Sequence, residues 1–162
     1  MRCRPRVRSG SRPRTPVSWS VVVTTQRPED RVSLADGYPL LVANTASLAE
    51  LNDWLAEESP QEWPLPMTRF RPNVVVSGAQ PWAEDGWVGR RLRIGGVVFR
   101  APKPSGRCVV TTTDQETGVR GREPLRTLGR HRTVRQKVLF GLNLVPDGTG
   151  EIGVGDEVEV ID

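Results

Sequence analysis

The chain has 162 residues, enough for one domain with a core of its own. Its hydrophobic fraction is 36%, and 16 glycines with 14 prolines favour a turn-rich, strand-rich domain over a helical bundle. The formal charge is +4, but residues 1–28 hold seven arginines and no acid, so the rest carries 16 basic against 19 acidic groups and its charge does not mark it as a nucleic-acid binder.

No run reaches the roughly 18 apolar residues that a membrane-spanning helix needs, so no membrane partner is expected. The segment VSWSVVVTT is too short and too polar for a signal sequence. Cys3 and Cys108 are far apart and form no disulfide framework, which points to a reduced, cytoplasmic chain. Residues 1–16 are Arg, Pro, Ser and Gly with almost no hydrophobes, the composition of a disordered tail. Such a tail is either a basic arm for nucleic acid or an anionic surface, or the product of a misplaced start or of codons read outside the natural frame.

The pattern then predicts a strand over 37–43, GYPLLVA. A helix follows, SLAELNDWLAEE, with Ser47 as N-cap, Glu50 completing a capping box, and Leu48, Leu51 and Leu55 at helical spacing. Three prolines make 59–68 a connector. Residues 73–78 (NVVVSG) predict a buried strand. Residues 90–101 predict a hairpin or bulged strand broken at Gly95–Gly96. Residues 108–113 (CVVTTT) predict another strand, and 114–118 (DQETG) a turn. A short helix is expected over 123–131 with Pro124 in its first turn, then a strand over 138–146 interrupted by Gly141. One or two closing strands fall within 151–161. Several short strands at this spacing suggest a small barrel or sandwich.

Cys108 is the residue with most chemistry. It follows Arg107, and a thiolate both benefits from neighbouring positive charge and serves as a soft metal ligand. Taken alone, a cysteine beside a strand is more often a small buried hydrophobe. Arg69 and Arg71 alternate with Phe70, which on a strand would put both arginines on one face, toward either an anion or solvent. His131 sits in the basic run GRHRTVRQK, where solvation of a helix end is the simpler role. Glu84 and Asp85 are adjacent and point apart, which suits a turn or an arginine pair better than paired acid–base catalysis.

Six blocks occur in order: RFRPN (69–73), AEDGW (83–87), GRC with VVTT, Asp114 and ETG (106–118), EPLRTL (123–128), FGLN (140–143) and GEIGVGDEVEV (150–160). Together they resemble the MOSC domain, the C-terminal domain of molybdenum cofactor sulfurases, in its amidoxime-reducing-component-like branch. The resemblance implies a mainly β, small barrel-like domain with one or two short helices, and a division into a 1–28 disordered Arg/Pro-rich tail, a 29–66 strand–helix connector and a 67–162 MOSC domain. It implies a molybdenum cofactor, Mo-molybdopterin, with Cys108 as catalytic metal ligand and Arg71, Asn73, Arg107 and Asn143 as cofactor-binding residues. The implied reaction is reduction of N-hydroxylated small molecules. Electrons would come from a separate ferredoxin-like protein or flavoprotein reductase. The alternatives are a sulfur-carrying or cofactor-binding module, or an inactive truncated fragment. Sulfurases also join this domain to a pyridoxal-phosphate enzyme domain, for which this chain has no room. Many relatives carry a cysteine where Ser105 stands, so Cys108 has no nearby partner thiol. Relatives in this branch also have a β-rich N-terminal domain, and nothing of that size precedes residue 29, so the expectation is a shortened product or a start placed downstream.

Overall fold

The computed structural model describes the backbone of Trp19–Thr24 and all of residues 38–161; the expected arm at 1–16 and Cys3 lie outside the described residues. Strand β1 spans Trp19–Thr24, β2 Leu40–Asn44, β3 Val74–Ser77, β4 Arg91–Ile94, β5 Val97–Gly106, β6 Thr133–Val134, β7 Lys137–Pro146 and β8 Glu157–Val160. Helix α1 spans Thr45–Glu58 and α2 Leu125–His131. The sheet order is β2-β3-β1-β8-β4-β5-β7-β6, and β7 also pairs with β2, so seven strands close on themselves and β6 hangs from β7 as a short hairpin. Closure removes the unpaired edges an open sheet would expose. Among the described strands only β2 and β3 run parallel, and α1 lies in the crossover between them, as a parallel pair requires. No helix among the described residues is long and apolar enough to cross a membrane.

Apolar side chains alternate into two clusters. Val42, Val74, Val76, Leu92, Ile94, Phe99, Leu142, Leu144 and Val158 fill the barrel. Ala43, Leu51, Leu55, Leu65, Phe70, Leu128 and Phe140 form a second cluster under the helices. β2 is buried along its whole length because it has barrel on one face and helix on the other.

Four expectations are corrected. Trp19–Thr24, within the expected tail, lies between β3 and β8 as β1, and Leu40–Asn44, within the expected connector, is a wall strand, so neither segment stands apart from the barrel. Helix α1 is capped by Asn44, whose Oδ1 accepts from the Ala46 N–H (3.0 Å), because β2 runs directly into the helix. Ser47 therefore lies within the helix, donating to the Glu84 carboxylate (2.8 Å) and accepting from the Trp82 N–H (2.8 Å). CVVTTT is not a strand: Val109–Thr112 is a 3₁₀ turn. The hydroxyls of Thr111 and Thr112 donate to the carbonyls three residues back (2.9 and 2.7 Å), which competes with ladder bonding. RFR is not a strand either, since Met67–Phe70 is a 3₁₀ turn and Arg71 caps it in the left-handed region, φ 53. Arg69 is consequently buried while Arg71 is exposed.

Glu84 is buried and bonded to Ser47 and Asn44 (3.1 Å), and it ties the turn Ala83–Trp87 to α1. Burial raises its pKa above the ordinary 4.5, against the pull of these hydrogen bonds. A raised folded pKa means that the unfolded chain releases the proton first as pH rises. Stability contributed by this group is therefore present below about pH 4.5 and is lost between that value and the folded pKa. Glu84→Gln should gain stability relative to the native chain as pH rises through that window, read by urea midpoints; a pH-independent difference would contradict the assignment. Gly141 sits in β7 with φ +76, and a Cβ there would lie 2.7 Å from the Val42 carbonyl oxygen. Gly141→Ala should lower stability by about 3 kcal/mol in chemical denaturation, from left-handed strain plus the backbone clash.

Candidate functional site

The outer face of the barrel wall β2-β7-β5 forms the floor of an open cleft of about 1490 Å³. Across the floor Leu41, Asn143 and Lys103 are direct register partners on the three strands, and all three line the cleft. One wall is the segment Arg69–Asn73 and the other is Ser105–Cys108 with the β6–β7 hairpin. The five residues that the resemblance implies as metal- or cofactor-binding, Arg71, Asn73, Arg107, Cys108 and Asn143, all line this one cleft.

Their local roles differ. Asn73 completes the β2–β3 seam: its N–H donates to the Leu41 carbonyl (2.9 Å) and its Oδ1 accepts from the Leu41 N–H (2.8 Å). Its amide NH₂ is the group left for a ligand. Asn143 donates from Nδ2 to the Pro104 carbonyl (3.3 Å), which leaves Oδ1 as an acceptor. Arg107 donates to the Phe70 carbonyl (2.8 Å) and to Ser105 Oγ (3.1 Å), and its guanidinium lies 5.5 Å from the Phe70 ring centre. Its Nε is buried with no partner among the described residues. Burial holds the Arg107 pKa below its usual range, and the charge of Cys108 opposes that shift. Cys108 itself is a free, exposed thiol at the entrance to the 3₁₀ turn.

The sequence reading missed three cations. Lys103, Arg135 and Lys137 join Arg69, Arg71 and Arg107 along the cleft, and no acidic residue is among its described lining. Arg135 and Lys137 come from the run GRHRTVRQK, of which only His131 was weighed, as helix-end solvation; the signal was the run itself, which extends past the helix into a hairpin. Arg69 lines the cleft but is spent on structure, pairing with Asp114 (3.3 Å) and bonding the Thr111 carbonyl (3.4 Å). The Asp114 pKa is lowered chiefly by the Thr117 N–H and hydroxyl, with Arg69 adding to it. His131 and the acidic pair lie elsewhere: His131 Nε2 meets Glu58 Oε1 (2.7 Å) and stacks on Trp54, and Asp85 pairs with Arg132 (2.7 Å).

Comparison with known proteins places this geometry. Residues 29–159 match the family described as the MOSC domain. The chain is 38% identical over 144 residues to human mitochondrial amidoxime-reducing component 1, covering 83% of this chain and 40% of that protein. It is 31% identical over 141 residues to a rice molybdenum cofactor sulfurase, covering 82% of this chain and 17% of that protein. The chain thus spans less than half the length of these relatives. The crystal structure of YiiM from Escherichia coli has the same fold, with a TM-score of 0.60 at 16% identity over 91% of this chain and 71% of that one.

Exposure of Cys108 has a direct chemical consequence. Alkylation of the native protein should modify Cys108 at a rate within about tenfold of the unfolded chain, followed by peptide mass so that Cys3 is counted separately. Protection of a thousandfold would show the thiol is not displayed on the cleft.

Proposed function

We propose that this chain, which belongs to the MOSC domain family, holds a molybdenum–pterin cofactor in the Cys108 cleft and reduces N-hydroxylated small molecules with electrons from a separate protein. The observation that carries this reading is the convergence of the exposed sulfur of Cys108 with Arg71, Asn73, Arg107 and Asn143 on a single cleft whose described lining holds no acid.

The residues fit the group by their donor chemistry. Cys108 offers one soft sulfur and the described lining contains no histidine or carboxylate, which suits a metal that brings its other ligands with it. Arg71 is exposed on the cleft wall, a fork suited to a phosphate. The free NH₂ of Asn73 and the free Oδ1 of Asn143 offer a donor and an acceptor to the edge of a pterin ring. The buried, unpartnered Nε of Arg107 is a further donor beside Cys108. When bound, the molybdenum centre supplies two-electron redox chemistry with oxygen transfer.

The chain's own part is positional. Arg107 is fixed by Phe70 and Ser105 before any ligand arrives, so its charge stands beside Cys108 without reorganisation. The floor strands set Asn143 and Lys103 in register, and the cationic surround favours a ligand of net negative charge.

Purified from cells that make the cofactor, the chain should carry molybdenum and release pterin on denaturation, and Cys108→Ala should reduce bound molybdenum at least tenfold. Equal metal in the two proteins would defeat the reading. A persulfide on Cys108 without molybdenum would favour sulfur handling instead.

A further inference from the structure

Four non-glycine residues among those described have positive φ: Arg71, Trp82, Arg135 and Gln136. Three of the four line the cleft. Arg135 (φ 47) and Gln136 (φ 65) are the two central residues of the β6–β7 hairpin, where Thr133 pairs with Val138 and Val134 with Lys137. A two-residue hairpin loop with both centres at positive φ is a type I′ turn, whose ordinary occupants are Asn-Gly or Gly-Gly. Here it holds a long cation and an amide, both exposed. Left-handed backbone disfavours such side chains, so the turn would be more stable with glycine. Strain kept at a site wall points to use of the side chains that cause it.

The surroundings say what that use is. Lys137 follows directly, and its stem lies over Gly106, since a Cβ on Gly106 would sit 3.8 Å from Lys137 Cδ. Arg135 and Lys137 form no ion pair with any described residue. In the same cleft, Val134 on the hairpin and Val110 in the Val109–Thr112 turn are 55% and 52% exposed. Exposed apolar side chains sharing a cleft with unpaired cations match a ligand with an apolar body and an anionic end. Asn73, Arg107 and Asn143 are half-buried on the floor and inner wall, where a retained group belongs. The hairpin is on the exposed rim, where an exchanging ligand arrives.

We propose that the Arg135–Gln136 turn, with Lys137, is a selectivity element for the substrate: it favours N-hydroxylated compounds whose apolar body carries a carboxylate or similar oxyanion. This deepens the function proposed above and rests on it for the identity of the reacting group. The anion meets Arg135 and Lys137, the body lies on Val110 and Val134, and the end that reacts faces Cys108.

The probes are an aryl amidoxime with a para carboxylate and the same compound without it. The variants are Arg135→Gly and Lys137→Gln. Arg135→Gly removes the guanidinium while placing glycine at φ 47, so its thermal midpoint should hold or rise by about 2 °C, and a lost preference cannot be ascribed to unfolding. In the cofactor-loaded chain, each variant should raise KM for the carboxylate compound about tenfold, the loss of one charge-assisted contact, with kcat unchanged and KM for the neutral compound within about twofold. Equal effects on the two compounds would overturn the proposal. So would loss of molybdenum from Arg135→Gly to the level of Cys108→Ala, which would assign the anion to the cofactor's phosphate instead. If the native chain turns over neither compound, the reductase reading fails, and equilibrium titration of the purified chain decides the turn separately. Tighter binding of the carboxylate compound that Arg135→Gly abolishes would sustain anion selection; equal affinities for the two compounds would end it.

Discussion

The structure depends on the close approach of β7 to β2 at Gly141. Strand β7 must pair with β5 on one side and β2 on the other for the barrel to close. Its partners advance unevenly: Pro104 faces Leu142, but Gly106 faces Leu139, so β7 carries one extra residue. That is a bulge, with Gly141 in the left-handed region. Phe140 and Leu142 are two apart and would share a face of an unbroken strand, yet Phe140 enters the helix-side cluster and Leu142 the barrel. One glycine therefore joins the two cores and aims Asn143 at the cleft floor.

The second constraint is electrostatic. Six cations lie along one cleft and repel each other, and its described lining holds no acid, so Asp114, just outside that lining, offsets Arg69 alone. The fold handles them unequally. Arg69 is neutralised by Asp114, and Lys103 lies 4.7 Å over the Tyr38 ring. Arg107 is held by a carbonyl, a hydroxyl and an aromatic face. Arg71, Arg135 and Lys137 are left without an ion pair among the described residues. A surface built this way is poised for an anion, because binding relieves repulsion that folding did not.

Much of this was legible in the sequence. The hairpin at Gly95–Gly96, the interruption at Gly141 and the helix after β2 follow from turn chemistry and periodicity. The ordered blocks brought five residues to one cleft because they mark the loops and the floor strand that meet there. What failed was local. Ser47 has the right chemistry for a cap, but Asn44, at the end of β2, reaches the helix first. Thr111 and Thr112 read as strand formers by β-branching, yet their hydroxyls serve a turn. Arg69 and Arg71 looked equivalent at two-residue spacing, and a 3₁₀ turn with a left-handed cap sends them apart. The Arg135–Gln136 turn was hidden because nothing in its composition resembles a type I′ sequence; only the paired geometry shows it.

Phe70 links the core to the chemistry. Its ring stacks on Phe140 at 3.7 Å and is buried in the helix-side cluster. The same ring lies under the Arg107 guanidinium, and its carbonyl accepts an Arg107 N–H. Arg107 is thus positioned by the same packing that holds α1 and α2 against the barrel. A charge fixed by the core loses no conformational freedom when a ligand binds, so it suits a group that stays. Arg71, exposed at the end of a turn, must surrender side-chain entropy on each binding, as must Arg135 and Lys137. That cost falls once on a retained group and repeatedly on an exchanging one. The left-handed backbones of Arg71 and Arg135 restrict where those side chains can start, which lowers the cost without locking them.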